Sequence, residues 1–390
     1  MITRREAVGG AAITALSYSR ILGANDRIGL GVIGSGDRGT YVKGYFEKNP
    51  EVETRALCDV YLARFEEAKK TAPNAKTFGD HRKLLELPEV DAVLVASPDH
   101  WHKDHAIDAM NAGKDVYVEK PMCRLREEAP LMVKASRATG KILQIGVQQR
   151  SGKIYLEALE RFVKTGAIGK VSHIDAIWHG GPVEPMRDQP KPSDLDWMRF
   201  LGPVAYRDWY APMYFNFRAF LDFNGGKMTD FGHHWMDVVH MYMGERAPHS
   251  AVFAGGIYMN HNDRRTAPDT VNALFEYENF SVLFQSNAYP LPSEYGITFN
   301  GSQGKLFVNR HRYAFTPTEK GAKVETKTIP GDITADHVRN FLDCIKSRTP
   351  PTGDAAIAAI SIQPPLLGVQ SYLEQRRIRF DPVRLEALPL

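Results

Sequence analysis

Ile28-Gly29-Leu30-Gly31-Val32-Ile33 runs directly into Gly34-Ser35-Gly36-Asp37-Arg38-Gly39, and no other stretch restricts the possible folds so severely. The β-run must stop at the glycines, and the residues after them carry a helical pattern. Such a strand–turn–helix lets backbone approach a pyrophosphate closely and sets its charge at a helix N-terminus. Gly34, Gly36 and Gly39, with Asp37 and Arg38 between them, are therefore candidate dinucleotide contacts. A second strand, Thr54–Leu57, ends in Cys58-Asp59, and Asp59 stands twenty residues beyond Gly39. A carboxylate there can accept hydrogen bonds from the diol of an adenosine ribose. The competing reading is a glycine-rich turn with no ligand; strand, glycines, helix and strand-end acid together outweigh it.

The alternation continues. An amphipathic stretch covers Ala63 to Lys70, and the strand Ala92–Ala96 ends in Ser97-Pro98-Asp99-His100-Trp101-His102, which opens a helix to about Ala112. Val116–Val118 then stops at Glu119-Lys120-Pro121, because proline offers no N–H to a ladder and biases Lys120 toward an extended conformation. A helix to about Thr139 and the strand Ile142–Val147 complete a doubly wound parallel sheet of Rossmann type. Three consecutive strands leave unusual residues at their carboxyl ends: Asp99/His102, Glu119/Lys120 and Gln148/Gln149/Arg150. That edge is where open α/β sheets bind ligands. Ser97, Pro98, His102, Glu119, Lys120 and Gln148 are assigned to the cofactor side and Arg150 to the substrate side. A lysine fixed at such an edge can give or take the proton of a hydroxyl. Asp99 can equally be a helix cap, and Glu119-Lys120 an ordinary solvated pair.

These residues resemble the glucose–fructose oxidoreductase, inositol dehydrogenase and rhizopine-catabolism (Gfo/Idh/MocA) superfamily. The resemblance rests on the N-terminal G-x-G-x-x-G, the Ser97-Pro98-Asp99-x-x-His102 turn and Glu119-Lys120-Pro121, and it extends over nearly all of the chain after residue 24. It implies a nicotinamide cofactor, NAD by the argument from Asp59 with NADP possible, on the first domain. It also implies a substrate-carrying second domain and a catalytic Lys120, and it allows a cis bond to Pro121.

The second half opens with a helical pattern to about Thr165, a strand at Val171–Trp178, and a proline-rich loop between Gly180 and Asp208. Residues 197–223 then hold ten aromatics, where an average of 10% predicts fewer than three. Interleaved with Arg199, Arg207, Arg218 and Asn216, they read as a wall that stacks on sugar faces, with Trp197 and Tyr214 as substrate contacts; a structural cluster is the alternative. Asp230 and His234, four apart, share one face of a helix running to Met243. The pair resembles the family's second catalytic element, a histidine that serves the reacting hydroxyl and an aspartate that orients it or binds substrate. A histidine near neutrality suits proton transfer. A metal pair drawn from His233, His234 and Asp237 is disfavoured, since adjacent helical residues diverge by about a hundred degrees. Strands at 251–257, 271–277, 281–288, 295–299 and 305–309 read as an antiparallel meander, which with its helices makes an α+β domain whose large open, mainly antiparallel sheet is expected to pair with another subunit. The helix beginning near Asp354 is interrupted by Gln363-Pro364-Pro365.

Composition narrows the partners. Lys and Arg number 49 against 46 Asp and Glu, and Arg4, Arg5 and Arg20 against Glu6 account for two of the three excess charges. The rest is near neutral, which excludes a nucleic-acid footprint. Three distant cysteines form neither a disulfide framework nor a zinc site. Residues 1–24 read as an export signal: paired arginines, an uncharged run from Ala7 to Leu16, and small residues at the end. Ala7-Val8 departs from the bulky pair usual after such arginines, and the run is too short to anchor the chain in a membrane. The expectation is a signal at 1–24, a dinucleotide-binding domain at 25–148 and a substrate-binding, oligomerising domain at 149–390. The chain is expected to be a periplasmic oxidoreductase of a secondary hydroxyl on a sugar, glycoside or cyclic polyol, or a cytoplasmic one if 1–24 is no signal. The rivals are a redox-neutral glycoside hydrolase or lyase working through a transient keto-sugar, and a non-catalytic exported sugar-binding protein.

Overall fold

The computed structural model describes residues 27–180, 186–244, 246–260, 262–288 and 295–388. The expected signal at 1–24 lies outside them. Strands β1 (Ile28–Ile33), β2 (Val52–Cys58), β3 (Lys76–Phe78), β4 (Ala92–Val95), β5 (Asp115–Val118) and β6 (Leu143–Ile145) form one sheet in the order β3-β2-β1-β4-β5-β6, parallel throughout. β1, β4, β5 and β6 are buried along their whole length, as a sheet covered on both faces requires. The order reverses between β1 and β4, so their carboxyl ends flank a natural crevice. Helix α1 (Asp37–Glu47) follows β1, α2 (Asp99–Asn111) follows β4 and α3 (Glu128–Thr139) follows β5.

The second sheet has ten strands: β7 (Val171–Ile177), β8 (Ser250–Gly256), β9 (Thr270–Glu276), β10 (Ser281–Asn287), β11 (Gly296–Gly301), β12 (Gly304–Val308), β13 (Arg312–Pro317), β14 (Glu325–Thr328), β15 (Ile378–Asp381) and β16 (Glu386–Ala387). Their order is β14-β13-β12-β11-β7-β10-β9-β8-β15-β16. The simple meander is therefore modified. β7 enters the middle, antiparallel to β11 but parallel to β10, the one parallel pair among the described strands of this sheet. Its alternation explains the position, because Ile174 and Ala176 point into the core beside Phe275, Phe284 and Phe299. Helices α4 (Gly226–Asp230) and α5 (Gly232–Met243) cover that inner face, with Met228, Trp235 and Val238 fully buried.

The C-terminal helices do not all stay with the second sheet. α6 (Ile333–Ser347), capped by the Asp332 carboxylate accepting from the Thr334 and Ala335 N–H groups, buries Val338, Phe341 and Leu342 against the parallel sheet. α7 (Ala355–Ser361) packs there too. The expected interruption at Gln363-Pro364-Pro365 is the start of a separate helix, α8 (Gln363–Glu374). Both prolines sit in its first turn, where a missing N–H costs no helical bond.

Candidate active site

A cleft of about 400 Å³ runs from the glycine turn to the face of α4 and α5. Three glycines shape the turn at its floor for three different reasons. Gly34 has φ +90°, and a Cβ on it would lie 2.6 Å from the backbone of Ala96 and Ser97. Gly36 has nothing closer than Arg64 Nε at 3.8 Å, so its bare Cα opens onto the cleft. Gly39 does not line the cleft; its Cβ would fall 1.8 Å from the Gly34 carbonyl oxygen, and its absence lets α1 pack against the turn. These are the demands of a dinucleotide cradle: a tight turn, close backbone approach and helix–strand packing. Asp59 props up the same turn. Its Oδ2 accepts from the Ser35 N–H at 2.8 Å and Oδ1 from the Tyr61 N–H at 2.9 Å, while burial pushes its pKa up. Each oxygen keeps a lone pair for a ribose hydroxyl.

Asp37, Arg38, Ser97, Pro98, His102 and Glu119 all line the cleft. Asp37 meets Arg64 at 2.9 Å, and Arg38 donates to Glu119 Oε1 at 2.9 Å. The His102 ring is tied between the Pro121 and Ser97 carbonyl oxygens, at 2.7 and 2.8 Å, and so steadies the turn that presents Lys120. The Lys120–Pro121 peptide is cis.

At the far end Lys120, Asp230 and His234 come together. Lys120 Nζ donates to Asp230 Oδ1 at 2.6 Å and to the Asp230 carbonyl at 2.8 Å. Arg218 Nε adds a contact to the same oxygen at 3.3 Å. Burial pushes the Asp230 carboxyl up, but the charges of Lys120 and Arg218 outweigh it and hold the carboxyl at about 2. The aspartate thus orients the lysine, not the histidine. α4 ends at Asp230 and Phe231 starts a new helix, so the i, i+4 geometry of one continuous helix does not apply. His234 is oriented by Gln149, whose Oε1 lies 3.0 Å from Nδ1. That fixes the proton on Nδ1 and leaves Nε2 as the acceptor, approached by an Arg310 Nη at 3.5 Å. Its pKa is not near neutrality: burial, then the charges of Lys120 and Arg310, hold it well below the ordinary value. His234 rests neutral, as an acceptor. His233 turns away into the core, where its Nε2 meets Ser361 Oγ at 3.1 Å.

Three expected site residues sit elsewhere. Arg150 is buried in an ion pair with Asp237, Nε to carboxylate at 2.8 and 2.9 Å, and does not line the cleft. Gln148 lies behind Glu119, to which it donates at 3.1 Å. Trp197 stacks on Phe200 within a separate aromatic core and gives its indole N–H to the Arg207 carbonyl at 2.8 Å. Most of the aromatic run is that core; Phe200, Tyr214, Phe215 and Phe217 alone of the ten reach the cleft. The cleft also contains residues to which no site role was given. Asp99 accepts from Asn224 Nδ2 at 2.6 Å, and burial raises its carboxyl to about 7 against the pull of Arg218 and Lys120. Trp178 stacks against both Phe231 and His234, and Arg310 lies over its ring. Asp99 had a sequence signal, its place at the strand edge; Trp178 and Arg310 had none.

A parallel sheet with a dinucleotide cradle, joined to a second sheet that brings a carboxylate and a histidine to a strand-edge lysine, defines a nicotinamide-dependent oxidoreductase of two-sheet architecture. Residues 28–147 match the model of an oxidoreductase family with an NAD-binding Rossmann fold, and residues 167–388 match that family's C-terminal alpha/beta domain. The chain belongs to the Gfo/Idh/MocA oxidoreductase family. It is similar to the scyllo-inositol 2-dehydrogenase (NAD(+)) of Bacillus subtilis, with 24% identity over 366 residues that cover 90% of this chain and 96% of that one. It is equally similar to the myo-inositol 2-dehydrogenase of Thermotoga maritima, 24% over 365 residues covering 91% and 99%. Among solved structures, a levoglucosan dehydrogenase complex with NADH and levoglucosan shares the fold, with TM-score 0.71, 16% identity and coverage of 91% and 99%.

Proposed function

We propose that the protein uses NAD to oxidise a secondary hydroxyl of a sugar, glycoside or cyclic polyol, or to reduce the corresponding ketone. The observation that carries this reading is the Lys120 ammonium, pinned by two oxygens of Asp230 in the same cleft end as the His234 Nε2 lone pair. The glycine turn, Asp59 and the Ser97–Pro98 edge would hold the dinucleotide, which when bound supplies the acceptor for a hydride. Lys120 holds the proton at the reacting oxygen, and His234 accepts from that hydroxyl or its neighbour. Asp230 keeps the lysine charged and aimed, and the similar inositol dehydrogenases support a polyhydroxylated ring as substrate.

Residues 25–148 serve as the dinucleotide unit and 149–390 as the substrate and assembly unit in this reading. Val252 and Leu274, opposite one another and exposed on the outer face of the ten-stranded sheet, give a second copy an apolar contact. The arginine pair at Arg4-Arg5 and the uncharged run after it support export by the twin-arginine route.

The test is to titrate the purified full chain with NADH and NADP(H), then supply NAD with a panel of sugars and inositols while following nicotinamide absorbance. Hydroxyl-dependent NADH formation, with NAD bound tighter than NADP, is expected. Release of free sugar from a glycoside without net NADH would replace the dehydrogenase reading by the redox-neutral one. Binding of sugar with no chemistry at all would sink both.

A further inference from the structure

Seven lysine or arginine side chains line the cleft, and six of them lie between 2.6 and 3.6 Å from a carboxylate oxygen. Arg310 is the exception: among the described residues it has no carboxylate partner. It stands in the turn that follows β12, where its guanidinium carbon lies 4.9 Å from the centre of the Trp178 ring. Trp178 is itself held by neighbours, stacked on Phe231 at 5.1 Å and on His234 at 5.4 Å. One Nη of Arg310 comes 3.5 Å from His234 Nε2, the long limit of a hydrogen bond, and its Nε is buried with no partner.

A guanidinium cannot shed its proton, so this cation persists at every working pH. Two features make it a binding group. The aromatic stack fixes the plane of the fork, which lowers the entropy lost when an anion docks. Arg310 lines the same cleft as His234 and Lys120, so an anion it takes there sits on the molecule whose hydroxyl those residues handle. The phosphates of the dinucleotide already have the glycine turn and the N-terminus of α1.

We infer that Arg310 binds the carboxylate of an acidic sugar, a uronic acid or its glycoside, and thereby sets the substrate class of the site. This rests on the sugar-oxidising reading above. The carboxylate takes the fork of Arg310 edge-on while a ring hydroxyl reaches His234 Nε2 and Lys120 Nζ. Neutral sugars fit the same cleft but leave the guanidinium unmatched.

The test is an equilibrium titration of the NADH-loaded full chain with matched pairs, D-glucuronate against D-glucose and D-galacturonate against D-galactose, read by nicotinamide fluorescence. In at least one pair the acidic member should bind about tenfold tighter or better, the usual worth of a charge-assisted fork. Arg310→Gln should reduce that ratio by about ten- to a hundredfold, and Arg310→Lys, which keeps the charge but not the fork, should restore part of it. Equal affinities in the unaltered protein, or an unchanged ratio in Arg310→Gln, would overturn the inference. So would a loss of NADH affinity in Arg310→Gln that weakens both sugars alike, which would assign the guanidinium to the dinucleotide. NAD-dependent turnover of neutral sugars, assayed on the same preparation, reports separately on the reading beneath. Turnover with no acidic preference removes Arg310 alone, whereas no binding of any sugar removes both.

Discussion

Replacing Asp230 by Asn keeps the shape of the side chain and deletes the charge on which Lys120 rests. In the folded protein the carboxyl titrates at about 2 instead of its ordinary 3.8. Because the folded value is depressed, the ionised form is favoured by folding. The stabilisation is complete above the unfolded value near 3.8 and fades as pH falls toward 2. A drop of that size corresponds to about 2 kcal/mol at pH 7, with about half of it gone by pH 3. Asp230→Asn should therefore lower the urea unfolding free energy by about 2 kcal/mol at pH 7, and the gap from the unaltered protein should close by about half at pH 3. The cost is paired with a chemical one. With Oδ1 no longer anionic, Lys120 Nζ keeps at most a neutral acceptor where its charged partner stood at 2.6 Å, beside the carbonyl at 2.8 Å. Turnover should fall by about two decades or more, while NADH affinity changes by no more than a few-fold. A stability gap that stays constant from pH 7 to pH 3 would refute the electrostatic account, and near-normal turnover would refute the role given to Asp230.

Three further outcomes are expected. Lys120→Met should lower kcat by about two to four decades while leaving NADH affinity within a few-fold, the pattern of a residue whose main work is on a proton; steady-state rates and NADH titration check both halves. Asp99, whose folded carboxyl is raised to about 7, makes folding less favourable as pH climbs from about 4 through 7, so Asp99→Asn should gain stability relative to the unaltered protein at pH 8 and show little difference at pH 4 in paired urea titrations. Gly39→Ala would drive a methyl to within 1.8 Å of the Gly34 carbonyl oxygen, so the turn must shift and NADH affinity should fall by about a hundredfold or more, with far-ultraviolet circular dichroism confirming that the fold persists.

The glycine turn, the order of the parallel strands and the strand-edge lysine were legible because each is a local matter. The steric demands on Gly34 and Gly39 come from neighbours in the chain or from the adjoining strand, and Pro121 stops β5 by its own chemistry. What lay beyond reach was which distant groups meet. Lys120 and Asp230 are separated by 110 positions, and their contact depends on how two sheets dock. Each was found by its own motif, but the spacing of Asp230 and His234 tied the aspartate to the wrong partner, because periodicity cannot announce a helix that ends and restarts at Phe231. Aromatic density misplaced Trp197 for a related reason: a hydrophobic wall and a packed core have the same composition. Arg150 looked like a substrate contact by its place at the strand edge, yet Asp237 claims it. Arg310 is one arginine in a turn between strands, and only the missing counter-charge around it, invisible in one dimension, sets it apart from the rest.

The short turn Gln148–Ser151 does four jobs in four residues. Gln148 donates to Glu119, Gln149 holds His234, Arg150 locks onto Asp237 of α5, and Ser151 bonds His337 of α6 at 2.7 Å. It works as a rivet through both halves of the molecule. A protein that closes on its substrate like a clamshell needs a compliant joint where the chain crosses between lobes, and here that crossing, just behind the cleft, is tied down by all four of its residues. A joint tied in this way is expected to hold the spacing between the glycine cradle and His234 constant through turnover. On that expectation, substitutions at 148–151 should change the distance over which the chemistry runs before they change how fast the site opens.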